Sequence, residues 1–202
     1  QLRGAAPINW AIINGLPESG VSIQRIVKKL DAGPVLWQKK IAIARNDTVE
    51  TLTAKMAAVA PEGMCETVHR AAAGELVEHE QDESLATYAP QLQKEDGLID
   101  WTRGAVEIER QIRGMNPWPG AFTYLNDSYL KIWEAEIVEG VTGDPGAVVA
   151  CSTKKCLIVA CGQDGLVVKA CQQENRKKLE TASFLCGCPL EIGFHFSNGD
   201  GN

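Results

Sequence analysis

No apolar run in this chain approaches the roughly 18 consecutive residues that a membrane-spanning helix needs, so no such helix is expected. Aromatic residues are few, 6% against 45% hydrophobic residues in total, yet 202 residues suffice for one large or two small domains with proper cores. The N-terminus, QLRGAAPINW, lacks a Met and lacks the charge, apolar run and cleavage site of a signal peptide. It reads as a chain entered partway through, a fragment. Paired CxxC motifs are missing as well, which argues against the common zinc sites. Seven cysteines cannot all pair with one another. Cys151, Cys156 and Cys161 recur every five residues, and Cys186-Gly-Cys188 is a CxC with His195 seven residues beyond it. The reading is reduced, buried thiols and no metal.

Basic residues are scarce in one segment. Residues 76–100 hold 1 Lys or Arg against 7 acids, whereas residues 1–75 hold 9 against 7 and residues 101–202 hold 10 against 12. The net charge of −6 is therefore concentrated in the middle. Basic clusters flank it: Lys28-Lys29, Lys39-Lys40, Lys154-Lys155 and Arg176-Lys177-Lys178. A polyanionic partner is permitted, and solvated surface is the alternative for each pair.

Residues 21–26 and 35–43 read as strands, with Gly33-Pro34 marking the turn between them. Asp47 reads as an N-cap with Glu50 three residues on, and Leu52, Met56 and Val59 follow at helical spacing. Pro61 predicts a kink or a fresh start, and Gly74 a stop. Two strands followed by helices suggest the closing units of an α/β domain. Residues 76–98 read as a linker. A helix is expected over 105–115, with Val106, Ile108, Ile112 and Met115 as its apolar positions. Five short strands at 121–125, 129–138, 147–150, 157–160 and 166–170, separated by turn signals, predict a small barrel or sandwich.

Within VKKLDAGPVLW, one carboxylate, Asp31, sits on the loop between two strands. Most loop carboxylates are simply solvated; a strand-end acid can also serve as a catalytic base. The loop alone leaves both open.

The segments RGAAPINWAIINGLPESGVSI, LDAGPVLWQ, TYAPQLQKEDGLIDW, IRGMNPWPGAFT and FLCGCPLEIG occur in this order, and together they resemble methionyl-tRNA formyltransferases. The first two also occur in other folate-dependent formyl-transfer domains. Ile99-Asp100-Trp101 and the Asn116 to Gly120 segment narrow the resemblance, which runs from Arg3 to about Gly193.

The resemblance implies transfer of a formyl group from 10-formyltetrahydrofolate to the amino group of methionyl initiator tRNA. It implies the C-terminal part of a Rossmann-like α/β catalytic domain (1–75), a linker (76–98) and a small OB-like β-barrel that holds tRNA (99–202). Asp31, in the LDxG position, takes the catalytic carboxylate role. The family's Asn and His, near an SLLP segment, have no counterpart here, so this stretch is expected to be inactive by itself. Gln24 and Val27 are the folate-contact candidates, although many relatives carry an acid where Val27 stands. Lys94, Arg113, Lys154, Lys155, Arg176, Lys177 and Lys178 are the tRNA-contact candidates. Arg25, Lys28 and Lys29 have two readings, contact with the tRNA acceptor end or solvation, and solvation is preferred; Trp101, Trp118 and Trp133 read as packing residues. A cytoplasmic monomer without a metal is expected. The rival readings are an amino-sugar-nucleotide formyltransferase, a formyltetrahydrofolate hydrolase domain and a stand-alone RNA-binding module.

Overall fold

The computed structural model describes residues 2–126, 128–152 and 156–197, and the chain divides into two compact units, Gln1–Leu92 and Gln93–Asn202. In the first unit, β1 (Arg3–Gly4) leads into α1 (Pro7–Ile13), where Pro7 fits because the first turn has no use for its missing N–H. Next come β2 (Glu18–Gln24), β3 (Val35–Ala42) and α2 (Val49–Ala73). The short β4 (Tyr88–Ala89) returns to pair in parallel with β1, Arg3 opposite Tyr88. β2 and β3 form an antiparallel hairpin, running from Glu18 opposite Ala42 to Gln24 opposite Val35.

The hairpin differs from the strands read in the sequence. β2 stops at Gln24, because Arg25 N–H already bonds the Pro34 carbonyl at 3.0 Å and closes the ladder. Ile26 therefore falls on the connection and is 95% exposed. The helix after the hairpin also begins one residue later than expected. Thr48 is the N-cap, sharing a reciprocal capping box with Thr51. Asp47 instead takes Thr51 Oγ1, Ala44 N–H and Lys55 Nζ, the last at 2.6 Å.

Pro61 does not break α2, which runs through it for 25 residues. Proline there deletes one N–H and frees the Ala57 carbonyl; Ala57 is exposed, so solvent can take that group. Trp37 Nε1 donates to Glu66 Oε2 at 2.9 Å and ties the helix to β3 beyond the proline. Gly74 ends the helix in the left-handed region, φ 73°, as its C-cap.

Residues 79–92 fold onto the same unit. His79 and Val35 exchange backbone hydrogen bonds at 2.8 and 3.0 Å, and Arg3 N–H donates to the Thr87 carbonyl at 2.8 Å.

The second unit starts with a 3-10 turn, Glu95–Gly97, and α3 (Ala105–Met115). Ile108, Ile112 and Met115 are buried as their spacing requires, whereas Val106 lies on the outer side and is exposed. Gln111 Nε2 donates to the carbonyls of Asp96 and Leu98 at 2.9 and 3.0 Å, pinning the segment before the helix.

The remaining strands are β5 (Ala121–Leu125), β6 (Ser128–Val138), β7 (Val148–Ser152), β8 (Cys156–Ala160), β9 (Gly165–Gln173) and β10 (Leu179–Glu180), followed by α4 (Thr181–Gly187). Their order is β5-β6-β9-β8-β7, all antiparallel, with β10 added to β9. Among the described residues the path is open, with β5 and β7 as its ends, so strand pairing does not produce the expected closed barrel. The C-terminal segment bridges to both end regions instead, Ser197 to Tyr124 and His195 to Ala147.

Leu130, Ile132, Leu157, Val159, Leu166 and Val168 form the buried face, each contributing about 1.5–3 kcal/mol. Trp101 belongs to this core: its Nε1 donates to Thr123 Oγ1 at 3.0 Å and its ring stacks on Phe196. Trp118 does not, being 57% exposed. No helix among the described residues is long and apolar enough to cross a membrane.

Candidate active site

The connection between β2 and β3 is built around one tight crossing. An added Cβ on Gly33 would lie 1.8 Å from the Arg25 carbonyl oxygen, so only glycine lets the chain pass there. This explains the glycine of LDAG. The crossing holds Asp31 two residues earlier at φ 49°, a left-handed conformation that Asp tolerates better than most residues.

The half-buried Asp31 carboxylate is held at both oxygens. Gly4 N–H donates to Oδ2 at 3.0 Å, and Gln24 Nε2 donates to Oδ1 at 3.3 Å. Gly4 reaches it from β1 at φ 131°, where an added Cβ would sit 2.5 Å from the Ala89 carbonyl oxygen. Two motifs separated in the sequence, RGAAP and LDAGP, thus meet at one carboxylate.

Gln24, read from the sequence as a folate contact, is therefore Asp31's neighbour. Val27 lies beside Gly33, with its side chain exposed alongside Ile26 and Leu30. Two basic residues here are engaged, although both stay largely exposed: Arg25 pairs with Glu78, and Lys29 with Glu83. Glu83 also takes the Arg3 guanidinium at 3.0 Å, and these bonds, Arg3's first, hold its carboxyl well below the usual range, at about 2.

Sequence reasoning missed Arg3 and Gln81. Gln81 Nε2 donates to the carbonyls of Gly33 and Asp31 at 2.7 and 2.9 Å, and it reaches Gln24 Oε1 at 3.0 Å. Its own Oε1 accepts from Arg3 Nη2 at 2.9 Å. No motif marks Gln81, because its partners lie 48 to 57 residues upstream on the hairpin and 78 away at Arg3.

The second unit carries the tRNA-contact candidates. Lys94 lines a cavity of about 290 Å³ with Tyr129, Lys131, Gln172, Gln173, Glu174 and Asn175. Lys178 lies 5.1 Å from the centre of the Trp133 ring, and Lys131 lies 4.0 Å from it. Burial pulls the Lys131 ammonium below its usual value. Trp133 Nε1 donates to Gln172 Oε1 at 2.8 Å. Tyr129, Lys131 and Trp133 share the outer face of β6, opposite buried Leu130 and Ile132, an alternation legible in the sequence.

Arg176 and Lys177 stand exposed on the turn after β9. Arg113 is different: it forms a mostly covered pair with Glu109, one turn back on α3, at 2.5 Å. Lys154 and Lys155 lie outside the described residues.

The cysteines differ in environment. Cys65 and Cys186 are exposed, Cys161 and Cys171 are buried, and all seven are free. Burial pushes the Cys161 and Cys171 thiols up to about 12. Among the described residues, no three His, Cys, Asp or Glu side chains come together as a metal site.

Residues 1–68 match the family described as "Formyl transferase", and residues 91–189 match "Formyl transferase, C-terminal domain". The methionyl-tRNA formyltransferase of Citrifermentans bemidjiense is 42% identical over 193 residues, covering 96% of this chain and 60% of that protein. The corresponding protein of Caldanaerobacter subterraneus is 43% identical over 193 residues, covering 96% and 62%. The chain thus spans about 60% of the length of these curated relatives.

Among solved structures, HypX from Aquifex aeolicus superposes with a TM-score of 0.70 at 20% identity, over 92% of this chain and 33% of that one. The N-formyltransferase from Helicobacter canadensis gives 0.67 at 17%, over 86% and 62%. Methionyl-tRNA formyltransferase from Clostridium thermocellum gives 0.56 at 18%, over 69% and 60%. At these identities the structural likeness is one of fold.

Proposed function

The chain belongs to the formyl transferase family, and we propose that the whole protein transfers a formyl group from 10-formyltetrahydrofolate to the amino group of methionyl initiator tRNA, for translation initiation. The observation that carries this reading is the Asp31 carboxylate, presented on a glycine-locked loop and oriented by Gly4 and Gln24. The methionyl ammonium must lose a proton before its nitrogen can attack the formyl carbon, and that nitrogen sheds another afterwards. A fixed carboxylate can take such a proton, directly or through water. Each oxygen of Asp31 has a protein donor and keeps further lone-pair capacity for an incoming N–H. The formyl oxygen turns negative as the bond forms and needs separate donors; its collapse breaks the bond from the formyl carbon to N10, and tetrahydrofolate leaves with a proton on that nitrogen.

Gln24 and Val27 are proposed to border the folate. For Val27, the support is an exposed apolar side chain beside the loop. For Gln24, it is contact with the carboxylate itself.

We read residues 1–75 as catalytic, 76–98 as a connector whose part through Leu92 folds with the catalytic unit, and 99–202 as the tRNA-binding domain. The bridges of Ser197 and His195 to the two end regions of the sheet support an OB-like arrangement of that domain. The hairpin and α2 are read as the closing part of a Rossmann-like catalytic domain. Lys94 at the end of the connector and Lys178, Arg176 and Lys177 in the tRNA-binding domain are the phosphate contacts, with Tyr129 in the cavity of Lys94 and Trp133 beside Lys178. Arg113, already paired with Glu109, is a weaker candidate. The protein is proposed to act as a cytoplasmic monomer.

The test is formyl transfer by the whole protein from labelled 10-formyltetrahydrofolate, with charged initiator tRNA and an amino-sugar nucleotide offered separately. Label on the methionyl-tRNA alone is expected. Label on the sugar nucleotide alone would overturn the reading.

A further inference from the structure

We propose that Gln81 is a positioning residue of the formyl-transfer site, setting both the backbone of the Asp31 loop and the direction in which Gln24 points its amide. The proposal rests on the reading of Asp31 as the catalytic carboxylate.

Gln81 contacts three separate pieces of the unit. Its Nε2 has two hydrogens and three acceptors within 3.0 Å: the Gly33 carbonyl, the Asp31 carbonyl and Gln24 Oε1. Its Oε1 accepts from Arg3, the residue before Gly4. The same side chain thus braces the carboxylate-bearing loop and the strand that supplies the carboxylate's N–H donor.

The polarity of the chain of amides follows from one end. Arg3 can only donate, so the Gln81 atom facing it must be the oxygen, and the Gln81 amide nitrogen must face Gln24. Gln24 then turns its oxygen to Gln81 and its amide nitrogen to Asp31 Oδ1. Arginine thereby dictates, two residues away, that the carboxylate meets a donor.

The backbone near Gln81 is anchored independently, by the two hydrogen bonds between His79 and Val35, and Arg3 has Glu83 as a second partner. Replacing the Gln81 side chain therefore leaves the segment in place. Methionine has the same reach and cannot hydrogen-bond in this way. Glutamate keeps shape and an oxygen for Arg3, but offers Gln24 an acceptor where it had a donor. Gln24 then flips and presents its own oxygen to Asp31. A role confined to packing cannot distinguish Gln81→Glu from wild type by shape; a role in polarity can.

The experiment compares Gln81→Met, Gln81→Glu and Asp31→Asn in the whole protein. It reads kcat and KM of methionyl-tRNA formylation, the thermal melt, and hydrogen exchange of the Gly4 amide. Both Gln81 variants lose the hydrogen bonds to the Gly33 and Asp31 carbonyls and are expected to fold with a lowered melt, and to keep KM for tRNA within about twofold, while kcat falls about tenfold for Met and about a hundredfold for Glu. The Gly4 amide is expected to exchange faster in both. If Asp31→Asn is inactive while both Gln81 variants turn over normally, positioning by Gln81 is wrong and the functional reading stands. If Asp31→Asn stays active, the functional reading falls, and the Gly4 amide decides the positioning: unchanged exchange in Gln81→Glu overturns it.

Discussion

The backbone N–H of Gly4 donates to Oδ2 of Asp31 at 3.0 Å, across a separation of 27 residues. That bond fixes one carboxylate oxygen while the other is held by Gln24, so the loop between β2 and β3 carries an oriented acid. Three features let the two residues meet: the glycine crossing at residue 33, the parallel pairing of β1 with β4, and the brace from Gln81.

The crossing gives the first prediction. Gly33→Ala would place a methyl group 1.8 Å from the Arg25 carbonyl oxygen, so the connection must open. Urea unfolding should show a loss of roughly 1–3 kcal/mol. An unchanged midpoint would mean that the loop rearranges freely and that Asp31 is not held by it.

Glu83 sets a pH dependence. Its folded carboxyl is depressed from 4.5 to about 2 by Arg3 and Lys29, so the unfolded chain binds this proton first as pH falls. The stabilisation is complete above the unfolded value and is lost as pH drops from 4.5 towards about 2. Glu83→Gln should flatten the fall in stability across that window. A titration of stability that is identical in parent and variant would contradict the network.

The thiols separate by environment. Cys65 and Cys186 are exposed and should react with iodoacetamide in the folded protein, whereas Cys161 and Cys171, pushed up to about 12, should react only on unfolding. Mass spectrometry of digests checks this, and early labelling of Cys171 would contradict the packing of β9.

Much of the second unit was legible because its signals are local. The turn signals around the strand read at 129–138, and helical spacing at Ile108, Ile112 and Met115, identified strand and helix correctly. Val106 misled because an apolar side chain on a helix does not say which side the core lies on, and Trp118 because its surroundings are set by packing outside its own segment. Pro61 misled because the cost of a proline depends on whether the freed carbonyl can be solvated. The bridging of the sheet's two end regions was not legible, because it comes from single residues, His195 and Ser197.

In the candidate site, the proposed role of Asp31 rests on its motif. Gln81 was not legible, since it lies in an acidic, aperiodic stretch and acts through contacts at least 48 residues away.

The two kinds of basic residue in the second unit should behave differently towards tRNA. Lys178→Ala should lower the slope of log affinity against log salt by roughly 0.7–0.9, the value of one phosphate contact. Arg113→Ala should leave the slope unchanged and weaken α3, because its charge is already met by Glu109. Equal slopes for parent and Lys178→Ala would remove this face from the interface.

The most direct test of the central claim is kcat of methionyl-tRNA formylation by the whole protein with Asp31→Asn. Asparagine tolerates the left-handed backbone at this position and can still accept from Gly4, so the fold is kept, while the Gln24 hydrogen bond is lost. What it also lacks is the capacity to take a proton at neutral pH. The account predicts a kcat lower by about a hundredfold to ten-thousandfold in a protein that still folds cooperatively; turnover near the parent's by a well-folded Asp31→Asn protein would contradict it.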